Sequence, residues 1–69
     1  MATYFIEFER EEDGRWLAAI PRLPGVMCYG ATKDEAATKV QALALHVLAE
    51  RMEHDNDSAD LVSVSFQAA

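Results

Sequence analysis

The sequence predicts an α+β fold, β-β-β-α-β, in which one helix packs on a mainly antiparallel sheet. Apolar and polar residues alternate with a period of two near both ends of the chain, which is typical of half-buried strands. An Asp-Gly pair between the first two such segments favours a hairpin. The middle of the chain carries one long apolar stripe with helical spacing. Because one helix covers only one face of a sheet, we expect the second face to stay partly open.

The first two strands are predicted on either side of the turn Glu11-Glu12-Asp13-Gly14. In residues 3–10 the two faces alternate, one formed by Tyr4, Ile6 and Phe8 and the other by Phe5, Glu7 and Glu9. In the second strand one face is formed by Trp16, Ala18 and Ile20 and the other by Leu17 and Ala19. We therefore expect an antiparallel pair.

Two further strands are predicted from strand-ending proline and glycine residues and from the alternation of apolar and polar side chains. Pro21, Pro24 and Gly25 end the second strand, because proline donates no ladder hydrogen bond and glycine allows unusual backbone angles. Residues 26–30 follow as a short apolar third strand. Residues 61–67 predict the fourth strand, with one face formed by Val62, Val64 and Phe66 and the other by Ser63, Ser65 and Gln67.

A helix is predicted to begin after Thr32 and to stop near His54. Thr32 and Glu35 have the spacing of a capping box, in which the hydroxyl accepts from the third helical amide and Glu35 reaches back to the amide of Thr32. Glu35 and Lys39 form a favourable i,i+4 pair. The stripe that should face the sheet consists of Ala36, Val40, Leu43, Ala44, Val47 and Leu48. An acidic loop over residues 55–60 is expected to follow.

Size and charge restrict the function. We expect a single domain over residues 1–69, whose core leaves a thin stability margin. The lone Cys28 forms no intrachain disulfide and fits a reducing compartment, so we expect oligomerisation to supplement the core and place the chain in the cytoplasm. The N-terminus has no pattern of a secretory signal, and no segment has the length of a membrane span. A net charge of −6 disfavours direct nucleic-acid binding and suits either solubility or a basic partner.

The chemistry-bearing residues predict no catalytic, cofactor or metal site, and therefore no enzyme. We interpret His46 as a packing residue beside the apolar stripe and His54 as a partner of the helix dipole, rather than as catalytic bases. Cys28 fits a small core residue better than a reactive thiol. The acidic clusters in the hairpin and after the helix lack the spacing of an EF-hand, so solvated loops are favoured over cation sites.

Four segments in order resemble the HicB family of antitoxins over nearly the whole chain. They are Tyr4-Phe5-Ile6-Glu7-Phe8, Asp13-Gly14-Arg15-Trp16-Leu17-Ala18, Ile20-Pro21-Arg22-Leu23-Pro24-Gly25 and Tyr29-Gly30-Ala31-Thr32-Lys33-Asp34-Glu35-Ala36. The combination of the hairpin DG, the P-x-L-P-G turn and the G-x-T-x-x-E-A helix start is fairly specific. The resemblance implies a partial ribonuclease-H-like fold whose topology carries no nuclease activity by itself.

The resemblance also implies a function and partners. Domains of this family typically neutralise a small basic HicA-type toxin that cleaves mRNA, and they commonly form dimers or tetramers. Many members continue into a DNA-binding segment, whereas here the chain ends at Ala69, directly after the predicted fourth strand, so we expect no operator binding. Arg22 departs from the acidic residue usual in the family's turn, which is expected to alter the partner surface.

The leading hypothesis is therefore an antitoxin module of a toxin–antitoxin system, acting by protein binding. The expected partner-binding residues are Glu9, Glu11, Glu12, Asp13, Trp16, Arg22 and Tyr29, although a core role for Trp16 is the stronger alternative. A second hypothesis is a stand-alone homo-oligomeric regulatory or small-ligand-binding protein, which the absence of an adjacent short basic reading frame would favour. A third, a cryptic nuclease using Glu7, has only one well-placed carboxylate.

Overall fold

A computed structural model describes residues 2–54 and 63–69 of the chain. Over these residues the elements are β1 (Ala2–Arg10), β2 (Trp16–Ala19), β3 (Met27–Gly30), α1 (Lys33–His54) and β4 (Val64–Ala68). The strands form a mixed sheet in the order β3-β2-β1-β4 with α1 packed on one side. The predicted α+β class and element order are confirmed. The predicted loop over residues 55–60 and the start of the fourth strand at Leu61 and Val62 lie outside the described residues.

The sheet is antiparallel except at one strand pair. The β1–β2 hairpin aligns Phe8 with Ala18, and β2 and β3 align Ala18 with Cys28. β4 lies parallel to β1, with Tyr4 opposite Phe66 and their ring centroids 6.1 Å apart. A parallel partner needs a crossover connection, and α1 lies on the chain between β3 and β4.

The β1–β2 connection is wider than a two-residue hairpin. The N–H of Glu11 donates to the carbonyl of Arg15 at 2.8 Å, and the N–H of Gly14 donates to the carbonyl of Glu11 at 3.0 Å. Gly14 has φ +89°, a left-handed conformation that costs glycine little. The Asp-Gly pair thus predicts the location of the turn correctly, and Gly14 is the turn residue that adopts the left-handed conformation.

The core lies between α1 and one sheet face. The predicted helix stripe is confirmed, since Ala36, Val40, Ala44 and Leu48 are buried and Leu43 and Val47 are half-buried. Tyr4, Ile6 and Ala18 supply the buried apolar side chains of the strands that face the helix. Ile20, Leu23 and Val26 complete the core from the connection between β2 and β3, where strands had been predicted to include Ile20 and Val26. That connection therefore fills the core as well as reversing the chain.

The helix start follows the predicted capping box with one difference. The Oγ1 of Thr32 accepts from the N–H of Glu35 at 3.1 Å, as expected. The Oε1 of Glu35 accepts from the N–H of Ala31 at 3.3 Å, so the expectation that it would bind the amide of Thr32 was wrong by one residue. The same oxygen lies 3.1 Å from Nζ of Lys39, which confirms the predicted i,i+4 pair.

No helix within the described residues has the length and apolarity needed to cross a membrane.

Candidate protein-binding surface

The side of the sheet turned away from α1 forms an exposed mixed apolar and acidic surface, which we call the open sheet face. Alternation and strand register place on it the side chains of Thr3, Phe5, Glu7 and Glu9 from β1, Leu17 and Ala19 from β2, Met27 and Tyr29 from β3, and Ser65 and Gln67 from β4. Phe5 is 49%, Met27 52% and Tyr29 45% exposed. Large apolar side chains grouped on one exposed face are typical of interaction surfaces.

The register brings carboxylates beside these apolar side chains. Glu9 lies opposite Leu17, and Leu17 lies opposite Tyr29, so the three form one row across the sheet. Glu7, Ala19 and Met27 form the next row. Adjacent strands lie about 4.8 Å apart, which places Glu9 about 10 Å from Tyr29 along the row. A partner covering the row would contact both an aromatic ring and a carboxylate.

The acidic hairpin, Glu9 to Asp13, continues this surface beyond the end of the strands. Its four carboxylates surround Arg10 and are followed by Arg15. Nε of Arg15 donates to Oδ2 of Asp13 at 2.7 Å, and the guanidinium carbon lies 4.4 Å from the ring centroid of Tyr29. Arg15 therefore connects the hairpin turn to the open sheet face.

The negative charge of Asp13 is paired with the positive charge of Arg15 within the turn. The backbone N–H of Arg15 and then its guanidinium hold the pKa of the Asp13 carboxyl below its ordinary value. Within the described part of the chain, the three hairpin glutamates Glu9, Glu11 and Glu12 make no ion pair. These three carboxylates are consequently the hairpin groups most available to a cationic partner.

Five of the seven predicted partner-binding residues lie in this one region. Glu9, Glu11, Glu12 and Asp13 lie in the hairpin, and Tyr29 lies on the adjoining row of the open sheet face. Trp16 is half-buried on the helix side, packs against the core and has Nζ of Lys33 5.7 Å from its ring. Its place fits the packing role that was weighed against a binding role.

Arg22 lies at the opposite end of the sheet from the hairpin. Its Nη1 donates to the carbonyl of Thr3 at 3.1 Å, and its guanidinium carbon lies 5.0 Å from the ring centroid of Tyr4. These contacts tie the β2–β3 connection to β1. Arg22 is therefore separated from the hairpin by the length of β1. Trp16 is paired with Arg10 beside the hairpin but lies on the helix side of the sheet.

Groups considered for catalysis do not converge. The described residues contain no cluster of three or more His, Cys, Asp or Glu side chains that could hold a metal ion. Cys28 is half-buried against the core, which fits its predicted packing role. His46 is exposed on the outer side of α1, so its predicted packing beside the core was wrong. The reason is its helical position, because Lys39 and Glu53, seven residues before and after it, project from the same side of α1 and are also exposed.

Phe5 and Met27 are part of the surface but were not among the predicted binding residues. Their positions in the alternating strand pattern contained the signal, because each falls on the face opposite the buried residues.

No protein-family model, no curated protein and no solved structure matches this chain.

Proposed function

We propose that the chain is a HicB-like antitoxin module that binds and neutralises a small basic HicA-type toxin. The open sheet face and the acidic hairpin dock on the basic surface of the toxin and cover its active site. The single observation that carries this proposal is the continuity of exposed apolar side chains with the hairpin carboxylates on one side of the molecule. The four sequence segments that resemble HicB antitoxins add the identity of the partner.

The two parts of this surface have different roles in binding. Desolvated aromatic and apolar anchors supply most of the affinity at protein interfaces, which assigns that role to Phe5, Met27 and Tyr29. Carboxylates at an interface mainly raise the association rate and select a positive partner, which assigns that role to the exposed Glu9 and Glu12 and the partly exposed Glu11. A net charge of −6 supports the same choice of partner.

The test is to purify the chain with the product of an adjacent short basic reading frame and to measure both complex formation and inhibition of mRNA cleavage. We expect Tyr29→Ala to raise Kd by at least about 30-fold, as for an interface hot spot. We expect Glu12→Lys to raise Kd about tenfold, mainly through a slower association rate, with a smaller effect at high salt.

Glu50→Lys is the matched control, because it makes the same change of charge on α1, away from the open sheet face. It should leave toxin inhibition within about twofold of wild type, as for a residue outside the interface. Equal losses from Glu12→Lys and Glu50→Lys would refute docking through the hairpin. A basic neighbour that neither binds the chain nor cleaves mRNA would refute the proposed function.

A further inference from the structure

The outward side of α1 carries a second apolar stripe, which we call the helix outer stripe: Thr38, Ala42, Leu45, Ala49 and Met52. All five are exposed, with Leu45 at 52% and Met52 at 47%. At 3.6 residues per turn they lie about opposite the buried Ala36, Val40, Ala44 and Leu48. The helix is therefore apolar on two sides, and only one of them contacts the described sheet. An apolar second side is expected on helices that are covered on both sides.

The spacing of the helix outer stripe is that of a helix-pairing seam. Its members recur at intervals of four, three, four and three residues, the heptad pattern of coiled coils. A shallow depression on its surface is lined by Ala42, Leu45, His46 and Ala49. These are positions i, i+3, i+4 and i+7, the four residues that form the hole for a side-chain knob from a second helix. The small side chains of Ala42 and Ala49 let that helix approach closely.

We propose that the helix outer stripe is the contact between two copies of this chain, whose α1 helices pack antiparallel about a two-fold axis near Leu45. In this arrangement Leu45 of each copy enters the depression of the other, Ala42 faces Ala49, and Thr38 faces Met52. The stripe is thus complementary to itself when one copy is reversed, as a two-fold interface requires.

The charges beside the stripe are complementary when the two helices are antiparallel. Lys39, His46 and Glu53 recur at seven-residue spacing along one flank. In an antiparallel pair this flank meets its own copy in reverse, which sets Lys39 against Glu53 twice. In a parallel in-register pair this flank would instead meet the opposite flank of the second helix, which keeps Lys39 and Glu53 apart. Lys39 also pairs with Glu35 of its own helix, but both groups are half-exposed and remain able to reach a second carboxylate.

Self-association through α1 does not depend on the proposed function. The open sheet face lies on the other side of the molecule, so each copy in the pair keeps that face available. The test of self-association uses the purified chain alone. A negative result there would not contradict toxin binding, and a negative result for toxin binding would not contradict self-association.

The test is sedimentation equilibrium of the chain from about 5 to about 500 µM, a range that includes weak dimers of small interface. The wild type should approach twice its chain mass of 7.7 kDa. Leu45→Glu should weaken self-association by at least about 30-fold, because it places two carboxylates at the two-fold axis. Phe5→Glu, a matched change on the open sheet face, should leave it within about twofold of wild type.

Circular dichroism of both variants establishes that each remains folded, which we expect because Leu45 and Phe5 are half-exposed. A wild type that stays monomeric throughout, or a Leu45→Glu variant that associates as wild type does, would overturn the proposal. Loss of association in Phe5→Glu alone would assign the contact to the sheet instead.

The direction of the pair is tested by a charge exchange. Glu53→Lys should weaken association about three- to tenfold by setting Lys39 against a second lysine. Adding Lys39→Glu should restore it, since the two symmetric pairs then form with reversed sign. A double variant as weak as Glu53→Lys would overturn the antiparallel arrangement. The helix outer stripe could instead bind a helix of the toxin. The chain alone would then be monomeric, and Leu45→Glu would lose toxin binding. This outcome would also overturn the proposed self-association.

Discussion

Gly30 illustrates how one residue sets the distance between sheet and helix. It ends β3 and is buried beside the first turn of α1. A Cβ at this position would lie 2.4 Å from the backbone nitrogen of Ala36 and 2.9 Å from its Cα. Both atoms belong to the helix backbone, so no side-chain rotation relieves the overlap. A glycine that the sequence marks only as a turn is therefore required by close packing.

We predict that Gly30→Ala lowers the free energy of unfolding by about 1 to 3 kcal/mol, the usual cost of overpacking. Urea unfolding followed by circular dichroism measures this cost. Gly25 is the matched control, since it has φ +85° and open space around its missing Cβ. Asparagine should be tolerated better than alanine at Gly25, because it adopts left-handed angles more readily. At Gly30 the larger asparagine should be the worse substitute, and the same ranking at both sites would contradict the packing explanation.

Leu23 is a core residue whose burial its sequence neighbours do not indicate. The run Pro21-Arg22-Leu23-Pro24-Gly25 has the composition of a surface turn, yet Leu23 is only 1% exposed. The N–H of Leu23 donates to the carbonyl of Ile20 at 2.9 Å, and the N–H of Val26 donates to the carbonyl of Leu23 at 2.9 Å. These bonds turn the leucine inward between two exposed prolines. Periodicity over five residues is too short to indicate such a side chain.

At the scale of elements, the helix start was predictable because its cap is local. Thr32 and Glu35 make their contacts within five residues, so sequence spacing alone contains them. The alternation of β1 likewise predicted which side chains enter the core. The helix outer stripe has the same kind of periodicity as the core stripe but is less apolar, so the spacing predicts a core role for the core stripe and no contact for the outer one.

We predict that Thr32→Val lowers the free energy of unfolding by about 1 kcal/mol, because it removes the oxygen that accepts from the N–H of Glu35. That loss should lower Tm by about 4 to 8 °C in a domain of this size. Thr32→Ser keeps the oxygen and should stay close to wild type. If serine and valine lower Tm equally, the hydroxyl contributes nothing to the cap.

A pH dependence is predicted from Glu35. The side chain of Lys39 and then the N–H of Ala31 hold its pKa below the ordinary value of 4.5. The folded state therefore favours the ionised carboxyl, so its stabilising effect is present above that ordinary value and is lost as the pH falls through the lowered pKa.

Thermal unfolding of wild type and Glu35→Gln checks this expectation. Wild type should have the higher Tm at pH 7, and the difference should shrink below about pH 4.5 as Glu35 becomes protonated. Glu50→Gln, an exposed glutamate in the same helix, provides the comparison for general charge effects. A Tm difference for Glu35→Gln that is constant from pH 7 to pH 3 would contradict the assigned cause.

At the scale of the whole molecule, the sequence predicted the two-layer arrangement and the open sheet face but only part of the candidate site. The hairpin carboxylates were predictable because they are adjacent in sequence. The neighbours of Tyr29 depend on strand register, which aligns it with Leu17 and Glu9. The separation of Arg22 from the hairpin depends on the direction of the sheet, because Arg22 contacts Thr3 at the other end of β1. The composition of the candidate site thus depends on strand pairing between segments that are distant in sequence.

The stability of so small a domain should depend on its own concentration. If two folded chains associate through α1 and unfolded chains do not, mass action adds to the free energy of unfolding as protein concentration rises. For two chains of this length that unfold together, a tenfold increase in concentration should raise Tm by about 5 °C. Scanning calorimetry at concentrations about a hundredfold apart would show a rise of about 10 °C for wild type and for Phe5→Glu. Leu45→Glu should lose this dependence while keeping its helical signal, because it removes the second copy and not the fold. A Tm that rises with concentration equally in wild type and in Leu45→Glu would place the stabilising contact elsewhere than on the helix outer stripe.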